Sequence, residues 1–361
     1  MNRNVLRGRI LAGVAGVALV ALTLAGCGGT SDNGNPAASA PAGGVDYANL
    51  SGQLKASGAS FPDAFYQEAI GEFKTVASKV TVNYNPTGSG QGKKDFGQGL
   101  TDFAGTDSTV KDTDGVPAGS WLYVPTVAAP ITVSYNLAGV DKLQLSPETV
   151  AKIFSRTVKT WNDAAIAQDN PGVTLPATAI TVAHRSDGSG TTSNFTKYLA
   201  AAAPNDWKLG SGDTVQWAAD TQGGAKNTGV AQIVKQAAGG IGYVDFADAK
   251  ASGLKFAAIK NKEGKYLAPS LDGATAALQG ATVKDDLTYD PLNAAGADSY
   301  PITSPTYLLI KKSYPDATKK ALVVGFVTYL LTDGQKLAKD VDFAALPDSL
   351  RQKALAQLTK V

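Results

Sequence analysis

Three short polar turns in this chain share one construction: Ser60-Phe61 within "GASFPDAFY", Gly88-Ser89-Gly90 within "NPTGSGQG", and Gly188-Ser189-Gly190-Thr191 within "HRSDGSGTT". Each follows an apolar, strand-like run and opens a helix-like one. The first turn of a helix offers backbone N–H groups that lack an intrahelical partner, together with a partial positive charge. Glycine lets a ligand approach that backbone, and each turn here adds a hydroxyl. These are the parts of an anion site. Arg185 stands just before the third turn, with Asp187 beside it, and a guanidinium is a strong partner for an anion. One Ser-Gly pair is commonly no more than an N-cap. Three turns of the same style, one of them next to an arginine, point further. They could hold a nucleotide phosphate, a catalytic serine or a small free anion.

The enzymatic versions lack their required residues. A nucleotide phosphate loop needs Gly-x-x-x-x-Gly-Lys-Ser/Thr, and in the frame of Gly92-Lys93 the chain has Thr87 and Lys94 at the deciding places. The stretch "GSGQGK" lacks the last glycine of a dinucleotide fingerprint. Neither Ser89 nor Ser189 sits in the Gly-x-Ser-x-Gly elbow of a serine hydrolase. His184 is the only histidine and Cys27 the only cysteine, which argues against a zinc site and a disulfide framework. On an extended segment His184 and Arg185 point to opposite faces. Arg185 is the better anion partner, so His184 is expected to be packed or exposed. No catalytic residues, cofactor or metal are expected.

The elements that must position these residues alternate in type. "QLKASGASFPDAFYQEAIGEFKTVA" reads as strand, turn and helix, with Phe65, Ala69, Phe73 and Val76 near helical spacing and Pro62 in the first turn. "KVTVNYNPTGSGQGKKDFGQGL" repeats that scheme. "TDFAGTDSTV" is a short strand ending at Thr106-Asp107, and "YVPTVAAPITVSYNL" is strongly extended. "SPETVAKIFSRTVKTWNDAAIAQDN" reads as helical from its Ser-x-x-Thr start. "AITVAHRSDGSGTTSNFTKYLAAAA" is again strand, turn and helix. "GGIGYVDFADAKASG" and "PITSPTYLLIKK" supply later strands, and "DATKKALVVGFVTYLLTDGQKLAKD" a long late helix. Strands alternating with helices indicate an α/β protein.

Composition places the chain. Its 361 residues suffice for two ordinary domains, and 43% apolar residues suffice for their cores. Charged residues are only 18% and the net charge is +2, so nothing suggests a nucleic-acid partner. The first residues carry Arg3, Arg7 and Arg9 without an acid, then an apolar run too short for a comfortable membrane span. That run ends in Leu24-Ala25-Gly26-Cys27, which resembles the bacterial lipoprotein signal. Residues 1–26 are then a signal peptide, and Cys27 becomes a lipidated N-terminus. The stretch 27–46 is rich in Gly, Pro, Ala and Ser without an apolar period, and reads as a flexible tether. Twenty such residues reach roughly 25 Å. The expected location is extracytoplasmic, on a palmitate-type lipid anchor in the cell membrane.

From "RSDGSGTT" outward the chain resembles the phosphate-binding lipoproteins of bacterial phosphate ABC transporters, commonly called PstS. "GASFPDAFY", "VNYNPTGSGQG", "DFAGTDS", "GGIGYVDFADA", "PITSPTYLLI" and "DFAALPDSL" each resemble a family segment, in the family's order, across most of residues 52–350. The resemblance implies a two-lobed type II periplasmic-binding-protein fold, with two crossovers between lobes and a ligand cleft between them. Lobe 1 would be 47–126 plus 302–361, and lobe 2 would be 127–301. It implies phosphate ligation by Ser60, the Phe61 amide, Ser89, Asp107, Arg185, Ser189, Gly190 and Thr191, with Asp187 orienting the arginine. It further implies a monomer whose partners are inorganic phosphate and, on separate chains, an ABC permease and ATPase. His184 departs from a basic residue common there.

The chemistry of phosphate suits that set. Near neutral pH phosphate still bears a P–OH, while its other oxygens accept hydrogen bonds. Hydroxyls, amides and one guanidinium serve the acceptors, and an ionised Asp107 can only accept, so it takes the ligand's hydrogen. Sulfate has no such hydrogen and would set two buried acceptors face to face. Another oxyanion, of sulfate or molybdate type, is the nearest alternative, followed by a phosphatase-like hydrolase and a non-transport surface protein.

Overall fold

Apolar strands alternating with helices build a mixed α/β molecule in the computed structural model, which describes residues 44–361. The expected signal peptide, the lipidation site at Cys27 and nearly all of the tether lie outside the described residues. Strands β1 (Gly52–Gly58), β2 (Val80–Asn85), β3 (Phe103–Thr106), β4 (Trp121–Asn136), β5 (Thr181–Arg185), β6 (Gln222–Gly224), β7 (Gly240–Asp245) and β8 (Thr303–Lys311) follow one hydrogen-bonded path, in the order β2-β1-β3-β8-β4-β7-β5-β6.

Each end of the path repeats one scheme. β1 pairs parallel with β2 and with β3, and β5 pairs parallel with β6 and with β7. The earliest strand of each set therefore lies between the next two, and the chain leaves it toward opposite sides. Loops at the carboxyl ends of such strands diverge and open a crevice there. β1 runs into Ser60-Phe61, β2 into the Gly88 turn, β3 into Asp107, and β5 ends on Arg185.

β4 joins the two sets. Its first part pairs antiparallel with β8 as far as Pro130↔Thr303, and its last part pairs with β7 from Ile131↔Asp245. The β-branched run Val124–Val133 is buried on both faces, as a strand covered on both sides must be. Two α/β lobes thus share one continuous strand.

Helices α1 (Asp63–Val76), α2 (Ser89–Gly97), α3 (Pro147–Phe154), α4 (Ala164–Asp169) and α5 (Gly190–Ala202) show where local expectation held. Ser146 caps α3 by accepting from the Thr149 amide, as its Ser-x-x-Thr start implies. Other details differ. Pro62 stands at the N-cap of α1 and not within its first turn. Phe65, Ala69 and Phe73 are buried, but Val76 is 43% exposed, because Ala77, four residues beyond Phe73, takes the inward place. The expected single helix after Ser146 is two, α3 and α4, since Arg156 adopts a left-handed φ of 64°. The late helix stops at Leu331 and continues as a 3-10 stretch, Asp333–Val341. There Thr332 turns its hydroxyl back onto the Thr328 carbonyl at 2.8 Å, next to the poor helix formers Asp333 and Gly334. "DFADA" is strand only to Asp245, which then caps a short helix, Phe246–Ala251.

Candidate anion-binding site

The ends of β1, β2 and β3 are crowded together by glycine. At Gly58, with φ 143°, a Cβ would fall 2.0 Å from the Gly105 carbonyl oxygen. That closeness lets the Ala59 amide donate to Gly105 (2.8 Å) and the Gly88 amide to Gly58 (2.8 Å). Tyr84 adds a hydroxyl bond to the Ala59 carbonyl at 2.6 Å. Ser60, Ser89 and Asp107 follow directly on these crowded ends. The Ser60 hydroxyl oxygen is buried without a hydrogen-bond partner among the described residues. The Phe61 ring packs edge-on against Phe343 at 5.8 Å in the core, so only its amide is available to a ligand.

Asp107 is a buried carboxylate among donors. Thr306, on β8, donates to its Oδ1 at 2.7 Å, and Ser89 donates to its Oδ2 at 3.3 Å. The Ser89 oxygen in turn accepts from the Asp107 amide at 3.2 Å. Burial pushes the Asp107 pKa up to about 7, against the opposing pull of Thr306, Arg185 and Ser89, while Asp213 adds repulsion.

The other lobe supplies a guanidinium and a capped helix. The Arg185 side chain is 1% exposed. Its Nε donates to Asp187 Oδ1 at 2.7 Å and one terminal nitrogen donates to Oδ2 at 2.5 Å. This fork fixes the arginine and leaves its remaining N–H groups for another acceptor. Asp187 also accepts from the Lys226 amide at 3.1 Å. Burial opposes its charge, but Arg185 and the backbone donors outweigh that and hold its pKa below the usual value. Ser189 caps α5, its oxygen accepting from the Thr192 amide at 3.1 Å, so its own hydrogen stays free to donate. Thr191 is fully buried and accepts from Asn227 at 3.3 Å. His184 turns the opposite way and stacks on Trp217 at 4.9 Å, and burial lowers its pKa.

The two lobes meet at these turns. The Gly90 amide donates to the Gly188 carbonyl at 3.0 Å. A Cβ at Gly190 would lie 2.6 Å from Asp107 Cβ and 2.6 Å from Ser89 Oγ. One at Gly88 would lie 2.6 Å from Asp187 Oδ2. Asn194 spans the gap, donating to the Asp107 carbonyl at 2.6 Å and to the Gly190 carbonyl at 3.0 Å. Direct contacts therefore gather Ser89, Asp107 and Gly190, with the Arg185–Asp187 pair against Gly88. Ser60 and Phe61 join through the backbone of Gly58, and Thr191 follows Gly190 on α5.

Sequence reasoning missed Thr306 and Asn194. Asn194 had a local signal, since it stands one helical turn after Gly190 on the same face. Thr306 had none, because it lies on a distant buried strand that local pattern cannot bring to Asp107. The assembled groups can surround a small anion with hydroxyls, amides and one guanidinium, and can accept one hydrogen from it at Asp107.

A model of the PBP superfamily domain matches residues 37–334. The phosphate-binding protein PstS of Xylella fastidiosa is 32% identical over 340 residues, covering 91% of this chain and 92% of that protein. Phosphate-binding protein PstS 3 of Mycobacterium leprae is 34% identical over 345 residues, covering 91% and 93%. Among solved structures, the phosphate binding protein from Stenotrophomonas maltophilia aligns with a TM-score of 0.64 at 22% identity, over 85% of this chain and 94% of its own. A high-affinity periplasmic phosphate-binding protein, PfluDING, solved with phosphate, aligns with a TM-score of 0.70 at 20% identity, over 85% and 94%. These likenesses identify the fold as the two-lobed type II binding-protein fold. With curated relatives matched along nine-tenths of its length, the chain belongs to the PstS family of phosphate-binding proteins within the PBP superfamily.

Proposed function

We propose that this protein binds inorganic phosphate outside the cytoplasm and delivers it, as a lipid-anchored monomer, to an ABC permease and ATPase on separate chains. Residues 47–126 plus 302–361 act as one lobe and 127–301 as the other, and phosphate is held where they meet. Ser60, the Phe61 amide and Ser89 donate from one side. Arg185, Ser189, the Gly190 amide and Thr191 donate from the other, and Asp187 holds the arginine in line. Asp107 accepts the ligand's P–OH. The protein is a carrier and performs no catalysis. Lipidation at Cys27 supplies the anchor.

The observation that carries this reading is a buried carboxylate, Asp107, among hydroxyl and amide donors, the other carboxylate, Asp187, being taken up by Arg185. Thr306 donates to Asp107 Oδ1, and the single Ser89 hydrogen that reaches Oδ2 at 3.3 Å turns to phosphate on binding, which leaves Oδ2 to accept the ligand's P–OH. For a fully deprotonated anion the same carboxylate is a liability, costing on the order of 1–3 kcal/mol as an unsatisfied acceptor pair. Calorimetric titration of the phosphate-free protein at pH 8 tests it. Phosphate is expected to bind at least roughly tenfold more tightly than sulfate. Equal affinity for the two would refute the role of Asp107, and tighter binding of sulfate or molybdate would favour the other-oxyanion reading. Hydrolysis of p-nitrophenyl phosphate would restore the phosphatase reading.

A further inference from the structure

Lys93 is a lysine without exposed surface, and its partners lie on both lobes. It stands on α2, four residues after Ser89. Its ammonium lies 2.8 Å from Asp114 Oδ2 and 2.9 Å from Asp213 Oδ2, and the Lys93 side chain is 0% exposed. It also donates to Ser108 Oγ at 3.2 Å and to the Thr109 carbonyl at 3.3 Å. Ser108, Thr109 and Asp114 belong to the segment between β3 and β4, on the same lobe as Lys93. Asp213 belongs to the segment between α5 and β6, on the other lobe. The Asp213 carbonyl accepts the Ser189 amide at 2.9 Å. One ammonium thus ties the residues that follow Asp107 to the residue that backs the Ser189 turn.

Burying a lysine charge is costly unless carboxylates and hydrogen bonds surround it. Here the surroundings are complete only while the lobes are together. When they part, Asp213 leaves with its lobe and Lys93 keeps only Asp114, Ser108 and Thr109. The pair therefore favours the shut arrangement without touching a ligand. Charge pairs of this kind, formed across a closing interface, act chiefly on the rate of separation.

We propose that Lys93 and Asp213 form an inter-lobe clasp that slows the escape of bound phosphate, Lys93 being a positioning residue and not a ligand. The proposal rests on the phosphate reading above. Its test compares full-chain wild type, Asp213→Asn and Asp114→Asn by stopped-flow release of labelled phosphate into an excess of unlabelled phosphate. Asp213→Asn removes the inter-lobe partner, together with a minor repulsion on Asp107, and leaves Lys93 paired with Asp114, so the lysine is not stranded. Dissociation is expected to quicken roughly tenfold, with association within about threefold of wild type and the phosphate-free melting temperature little changed. Asp114→Asn, which breaks a bond inside one lobe, is expected to quicken release less than about threefold. Release from Asp213→Asn at the wild-type rate, or Asp114→Asn matching it, would overturn the clasp while wild-type phosphate binding stands. A wild type that binds no phosphate would instead overturn the functional reading and the clasp together.

Discussion

Asp107 should leave a signature on the pH dependence of the phosphate-free protein. Burial raises its pKa to about 7, well above an ordinary carboxylate. Between those two values the folded protein holds a proton that the unfolded chain has lost. Stability therefore falls as pH rises through that window, is fully present below it and is fully lost above about 7. The contribution is on the order of a few kcal/mol. Asp245 and Asp248, also raised by burial, act in the same direction, so the test is a difference. In Asp107→Asn, thermal melts in phosphate-free buffer from pH 4 to pH 8 should show a shallower decline than in wild type. Parallel curves for the two proteins would mean that Asp107 is solvated in the free state. The sequence could nominate Asp107 only through family resemblance, because its environment is made by Thr306 and Arg185, far away along the chain.

Two glycines at the starts of helices look alike in sequence and differ in what they touch. Gly92 in α2 packs inside one lobe, where a Cβ would lie 2.3 Å from the Gly58 Cα. Gly190 opens α5 and would bring its Cβ against Asp107 and Ser89 of the other lobe at 2.6 Å. Gly92→Ala should destabilise the protein by about 2–3 kcal/mol with or without phosphate, since its clash is with fixed backbone. Gly190→Ala should leave the free protein within about 1 kcal/mol of wild type, yet weaken phosphate binding by more than roughly tenfold, because its clash arises when the lobes meet. Denaturant melts of both variants, paired with phosphate titration, separate the two behaviours. That all three turns open helices was legible from Gly, Ser and the apolar runs around them. Which glycine faces its own lobe and which faces the other was not.

Among the described residues no helix is long and apolar enough to cross a membrane. The proposed point of attachment is Cys27. Cys27→Ala should move the protein from the membrane fraction to the soluble one, with phosphate affinity unchanged within about twofold, since the proposed site residues begin at Ser60. Fractionation followed by titration checks both halves. Continued membrane retention would sink the anchor without touching the site. At this level the continuous strand β4 matters most. Its change of partner between Pro130 and Ile131 carries the backbone from one lobe to the other.

Local physics was enough to read the strand–turn–helix units, the hydroxyl-bearing helix starts and the failure of each enzymatic motif, because those depend on residues within one or two turns of each other. The pairing of Thr306 with Asp107, the reach of Asn194 across the gap and the burial of Lys93 between Asp114 and Asp213 depend on which distant strands become neighbours. Hydrogen bonds and charge pairs of that kind exist only after the chain has packed, since a carboxylate in the unfolded chain meets water and not a threonine from a strand some two hundred residues away.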